Sequence, residues 1–222
     1  LMYSVSTTTD GKPSIMMAIT QTAGSNAQEV LTNVKAELDK ASVDLPPGLK
    51  FTYLMDVSDF LNASISKVIT TLLEAFLLVF LVVFIFLQNF RSTLIPAIAV
   101  TVAIVGTFVF LWVMGFSVNI LTLFALVLAI GIVVDDAIVV VEAVHAELES
   151  GAKDPKEAAI KAMKEIAPAI ISITLVMASV FIPVSFIGGT SGIFYQQFGL
   201  TLAVAIGISA INALTLSPAL CA

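Results

Sequence analysis

Asp135 and Asp136 stand side by side within a hydrocarbon stretch that runs from Leu128 to Val141. A carboxylate at the centre of a bilayer costs about 2.5–3.5 kcal/mol on insertion scales, so acids at such depth carry function by default. The chemistry they offer is proton uptake and release, and two adjacent carboxyls titrate as a coupled pair. Successive helical residues point about 100° apart. One acid can therefore face a neighbouring helix while the other faces a second partner or a water path. No Lys or Arg lies inside any apolar span, so a counter-ion for these acids must come from elsewhere. The alternative role is two protonated, hydrogen-bonded acids that only tie helices together.

Two further acids are candidates for an accessory polar path. Glu142 is seven residues beyond Asp135 and shares its helix face, either extending a proton exit or simply ending the helix in the cytoplasm. Glu74 opens the first span and reads as an interfacial acid near the outer headgroups, or as part of a polar lining. His145 reads as juxtamembrane. The aromatic residues Phe108, Phe110, Trp112, Phe116, Phe181 and Phe186 are expected to face lipid or the interface.

The elements that must position these acids follow from composition. The apolar fraction is 59 % and the mean hydropathy +1.06, against about 45–50 % apolar for soluble domains. Five apolar segments, at 68–87, 94–114, 118–141, 166–187 and 196–222, each approach the roughly 20 residues that cross a ~30 Å core. The fold class is a membrane all-α protein of about five transmembrane helices with a small N-terminal α+β subdomain. No basic patch suits nucleic acid. One cysteine, Cys221, and one histidine, His145, leave neither an internal disulfide nor a His-cluster metal site, and no cofactor is expected. The chain starts without a signal peptide and stops in apolar sequence, which suggests a piece of something larger.

Residues 1–60 read as strand–helix–strand. The strands are placed at 14–20 and 49–55; the helix runs from Ala27 to Ala41 behind Ser25 or Asn26 as N-cap, and Pro46-Pro47-Gly48 closes it. Asp56 or Ser58 is expected to cap the first membrane helix. Residues 61–222 hold the spans, plus a surface helix near 154–165 with Asp154 as N-cap and Pro155 in its first turn. Arg91 lies in loop 88–93, and Lys153, Lys156, Lys161 and Lys164 in loop 142–165; loops 115–117 and 188–195 carry no cation. The positive-inside rule puts the first two loops in the cytoplasm and the N-terminal subdomain outside it. Gly106, Gly131, Gly188, Gly189, Gly192, Gly199 and Gly207 allow turns or close helix approach, and 188–192 reads as a flexible outer loop.

Several motifs resemble the resistance–nodulation–division transporters, above all Val134-Asp135-Asp136-Ala137-Ile138-Val139-Val140-Val141-Glu142. Gly115-Phe116-Ser117-Val118-Asn119, Thr122-Leu123-Phe124, Leu128-Ala129-Ile130-Gly131, Phe86-Leu87-Gln88-Asn89-Phe90-Arg91, Thr93-Leu94-Ile95-Pro96, Phe181-Ile182-Pro183, Gln197-Phe198 and Ser217-Pro218-Ala219-Leu220-Cys221-Ala222 match as well. The double acid favours the hydrophobe/amphiphile multidrug branch; the heavy-metal branch usually has one aspartate followed by Ala. The resemblance covers nearly the whole chain. It implies the end of a periplasmic porter subdomain followed by transmembrane helices two to six of the first half. It further implies that Asp135 and Asp136 are a proton relay whose lysine lies in the second half, with protons as the coupling ion. The implied protein is a secondary transporter, not an enzyme, in the inner membrane of a Gram-negative cell. It would be a homotrimer with a periplasmic adaptor and an outer-membrane channel, exporting hydrophobic small molecules.

The chain departs from the family pattern at 142–146, where Glu142-Ala143-Val144-His145-Ala146 replaces Glu-Asn-Val followed by a basic residue. Thr101 also stands where proline is common. Rival readings are a superfamily transporter for metal ions, lipids or proteins, a non-transporting scaffold, and an intramembrane aspartyl protease. The protease needs acids on separate helices sharing one proton, which adjacent residues on one helix do not supply, and its Gly-x-Gly-Asp pattern is missing.

Overall fold

A computed structural model describes residues 7–22, 25–116, 118–189 and 191–222. Loops 115–117 and 188–195 thus each include a position outside the described residues, at 117 and 190, as does the 1–60 segment at 1–6, 23 and 24. Two three-residue strands, β1 (Thr7–Thr9) and β2 (Lys12–Ser14), form an antiparallel hairpin. Helices α1 (Ala27–Ser42), α2 (Ser58–Leu87), α3 (Phe90–Val113), α4 (Ile120–Glu149), α5 (Pro155–Val184), α6 (Gly192–Leu214) and α7 (Leu216–Cys221) follow. Among the described residues, five helical stretches are long and apolar enough to cross a membrane, as the segment lengths predict.

The strand–helix–strand reading of residues 1–60 needs correction. Strand β2 ends at Ser14, and neither 15–20 nor 49–55 is extended in a ladder. A strand exists only where its backbone groups find a partner edge, and none reaches these segments among the described residues. Ile15 and Met55 stay 98 % and 87 % exposed. Helix α1 forms as predicted, with Asn26 rather than Ser25 as its cap: Asn26 Oδ1 accepts the N–H groups of Gln28 at 3.0 Å and Glu29 at 3.3 Å.

The surface helix near 154–165 is not a separate element. Asp154 caps it, accepting the Glu157 N–H at 2.7 Å, and Pro155 opens it. The helix then continues without a break to Val184. Residues 158–167 hold good helix formers and no glycine, and Pro168 removes one donor without ending the run. The last predicted span, by contrast, is divided at Thr215. Pro218 has no N–H for the carbonyl four residues back, and its ring crowds that carbonyl. The backbone turns at Thr215 (φ −125°, ψ −62°) before restarting as α7.

Helix α4 lies at the centre, packed against α2, α3, α5, α6 and α7. One core joins Val100 and Ala103 of α3, Ala125, Ala129, Ile130 and Val133 of α4, and Leu202 and Ala205 of α6. Nearer the other end, Val140 and Val144 meet Ala158, Ala159 and Ala162 of α5 and Ala210 and Ala213 of α6. These interfaces are rich in alanine. In lipid the hydrophobic effect does not drive helices together, so small side chains that permit close packing take its place. Gly199 shows how close the approach can be, since a Cβ there would sit 2.9 Å from Phe181 O and 3.0 Å from Ser185 Oγ of the segment ending α5. Trp112 and Phe186 are exposed as expected, whereas Phe108 and Phe181 are half-buried in the helix packing.

Candidate functional site

The two aspartates follow the helical geometry expected of neighbours. Asp136 turns inward and is 9 % exposed, while Asp135 lies on the open face of α4. The cause is the register of α4. Its inward face carries Ala125, Ala129, Val133, Ala137 and Val140, all nearly inaccessible, and Asp136 falls within that arc. Asp135 falls in a strip with Phe124, Leu128, Gly131, Val139 and Glu142, none of them buried. The start of the helix is fixed by a capping box. Asn119 Oδ1 accepts the N–H groups of Leu121 at 2.9 Å and Thr122 at 3.1 Å, and Thr122 Oγ1 accepts the Asn119 N–H at 2.9 Å.

Asp136 has a partner that the sequence reading passed over. Ser209 of α6 donates its hydroxyl to Asp136 Oδ2 at 2.8 Å and lies 3.3 Å from Val133 O. Ser209 is itself 2 % exposed. One turn on, Asn212 donates Nδ2–H to Ala99 O of α3 at 3.2 Å. At the other end of α6, Gln197 accepts from Asn119 Nδ2. A signal was present, since polar residues at i, i+3 within an apolar span point to helix–helix hydrogen bonds. Which helix they meet is a matter of tertiary register.

The other candidates are dispersed. Glu142 shares the open strip with Asp135, as its spacing requires. Glu74 is exposed on α2. Val68, Leu72, Phe76, Val79 and Val83 form the inward face of that helix, and Glu74 projects away from most of it. His145 lies 3.9 Å from Glu149 on its own helix. No Lys or Arg pairs with Asp135 or Asp136 among the described residues. A carboxylate offers about four acceptor sites, and one serine hydroxyl meets only part of that demand. The described helices thus hold one acid inside and present the other outward.

Known proteins resemble this chain along almost its whole length. The family model for AcrB/AcrD/AcrF matches residues 2–222. Over 220 residues, 99 % of this chain, it is 46 % identical to the multidrug export protein AcrF and to the multidrug resistance protein MdtF, both of Escherichia coli. It is 44 % identical over the same length to the toluene efflux pump membrane transporter TtgB of Pseudomonas putida. The matched region is 21 % of each of these relatives, so the chain spans about a fifth of their length. With the paired acids on its central helix and a match along almost all of its sequence, the chain belongs to the AcrB/AcrD/AcrF family of multidrug resistance–nodulation–division transporters.

Proposed function

We propose that this chain is the proton-coupling part of a drug/proton antiporter. The observation that carries the reading is the division of labour between Asp136, buried against Ser209, and Asp135, on an open strip of the same helix. Protonation from the outside removes charge from the pair and releases a cationic side chain supplied by another part of the full protein. The helices then repack, and release of the proton to the cytoplasm restores the pairing. The driving term is the proton's different affinity for the two packings. Ionised, the pair needs the cation; neutral, it needs only hydrogen bonds.

Glu142 extends the acidic strip towards the cytoplasmic end of α4, and Glu74 acts at the outer headgroups. The exported compounds are hydrophobic or amphiphilic, in keeping with relatives described as multidrug and toluene efflux proteins. The whole pump sits in the inner membrane of a Gram-negative envelope with residues 1–60 in the periplasm. It works as a homotrimer with a periplasmic adaptor and an outer-membrane channel, and it uses no cofactor besides the coupling proton.

The test is drug efflux by the full-length protein carrying Asp135→Asn or Asp136→Asn, each at normal membrane abundance. Both variants are expected to lose export. Wild-type export by either one removes that acid from the mechanism.

A further inference from the structure

Helix α6 carries a second polar contact that the proton-coupling reading does not use. Asn212 is 7 % exposed, and its amide reaches across to the backbone of α3 at Ala99 O. That carbonyl lies within α3 and already accepts a bond from its own helix, so it does not need Asn212. The bond therefore serves α6.

The need is rotational. The stretch of α6 around Ser209 carries several small residues, Ala203, Ala205, Gly207, Ala210 and Ala213, which interlock helices less than large side chains do. Polar contacts fix their rotation. Asn119–Gln197 fixes one end of α6, and Asn212–Ala99 fixes the other. Ser209 sits one turn from the inner pin, about 4.5 Å along the axis at 1.5 Å per residue. Its hydroxyl stands between a carboxyl oxygen at 2.8 Å and a backbone carbonyl at 3.3 Å. A modest turn of α6 exchanges one acceptor for the other.

We infer that Asn212 is a positioning residue for the proton site: by tying α6 to α3 it holds the Ser209 hydroxyl on Asp136. The inference rests on the proton-coupling reading for its importance to transport, and on the geometry of α3, α4 and α6 for its content. Asn212 acts through Ser209 and touches neither acid.

A double-mutant cycle on efflux by the full-length protein tests it, using initial rates for a fluorescent substrate at matched membrane abundance. Asn212→Leu keeps the branched shape and removes the amide, and Ala99 O retains its helical bond. Ser209→Ala is expected to slow efflux about tenfold, in line with a lost hydrogen bond to a charged group. Asn212→Leu alone is expected to slow it about threefold. The double variant is expected to match Ser209→Ala alone, because the tether has nothing left to position. Thr201→Val is the structural control: Thr201 is buried on the same helix, and its hydroxyl bonds to Gln197 O within α6. Its effect is expected to multiply with that of Ser209→Ala.

Wild-type efflux by Asn212→Leu, or simple multiplication of its effect with that of Ser209→Ala, overturns the inference. Should Asn212→Leu not reach the membrane, Asn212→Ser takes its place in the same cycle. An active Asp136→Asn variant sinks the coupling reading itself, whereas an inactive Asp136→Asn with a multiplicative cycle sinks only the role of Asn212.

Discussion

Ser209 and Asp136 are 73 residues apart in the chain, yet the serine hydroxyl donates to the carboxylate at 2.8 Å in the packed interior of the helices. This contact joins α4, the helix that carries the acids, to α6. Removing the hydroxyl leaves the acid without its donor in a medium that offers no substitute. Ser209→Ala is expected to destabilise the full-length protein by about 0.6–1.7 kcal/mol, the range for interhelical hydrogen bonds in membranes. Ser209→Thr, which keeps the hydroxyl, is expected to cost less. Unfolding midpoints of the two variants in the same detergent decide the point.

Asp135 faces outward with Gly131, Val139 and Glu142. A carboxylate turned to lipid carries the full cost of about 2.5–3.5 kcal/mol, so another part of the full-length protein is expected to cover this strip. Cysteines placed at Gly131 and Val139 should resist a lipid-soluble maleimide in the intact membrane. Trp112→Cys, at a position 80 % exposed, should label readily. Equal labelling of all three would show that the strip faces lipid.

The glycines separate by what stands opposite them. Gly199→Ala would drive a methyl to 2.9 Å from Phe181 O, a backbone atom that cannot easily yield. A loss of about 1–3 kcal/mol is expected, typical of overpacking. Gly106→Ala meets only the tip of Ile208, at 3.2 Å, and should be much milder. Thermal unfolding of the two variants distinguishes these outcomes.

Outside the membrane, α1 is held to the start of α2 by polar contacts. Lys35 Nζ lies 2.7 Å from Asp56 Oδ2 and 2.8 Å from Ser58 Oγ, and Gln28 Nε2 donates to Asn62 Oδ1 at 3.0 Å. Asp56 also accepts the Ser58 N–H at 2.9 Å, but it lies one residue too early to be the cap: Val57 holds the N-cap place and, contrary to expectation, no side chain caps α2. Hydrogen bonding to Lys35 first, and then to Ser58, holds the Asp56 carboxyl well below its ordinary 3.8. The same bond to Asp56 raises the Lys35 amine above its ordinary 10.5. A depressed carboxyl contributes stability that is complete above its unfolded value and is lost as pH falls through the folded one. A raised amine contributes below its unfolded value and loses that contribution as pH climbs through the folded one. The α1–α2 link should therefore be constant from about pH 5 to about pH 9 and loosen in strong acid. Because the pair is solvent-exposed, it should also loosen with salt. Distances between spin labels at Ala36 and Ala63 would show this, and Lys35→Met should abolish the acid response.

Hydropathy fixes most of what this chain can become. Runs of apolar residues near the length of a bilayer leave only helices as solutions, because every backbone N–H must bond within its own segment. The caps at Asn26 and Asp154 were legible for the same local reason, as were the alternation of basic loops and the unusual nature of Asp135 and Asp136. Local sequence could not decide whether 15–20 and 49–55 become strands, since a strand depends on a partner edge. It also left open whether the helix at 155 stops at the surface, and where Pro218 divides the final run.

Tertiary packing alone decided which aspartate faces inward. Adjacent helical residues are equivalent in a sequence pattern, and only the neighbours of α4 distinguish them. The same holds for Ser209 and Asn212, whose partners Asp136 and Ala99 lie on other helices. Contacts between helices depend on rotation and register about each axis, and in an apolar span these leave little trace in the sequence.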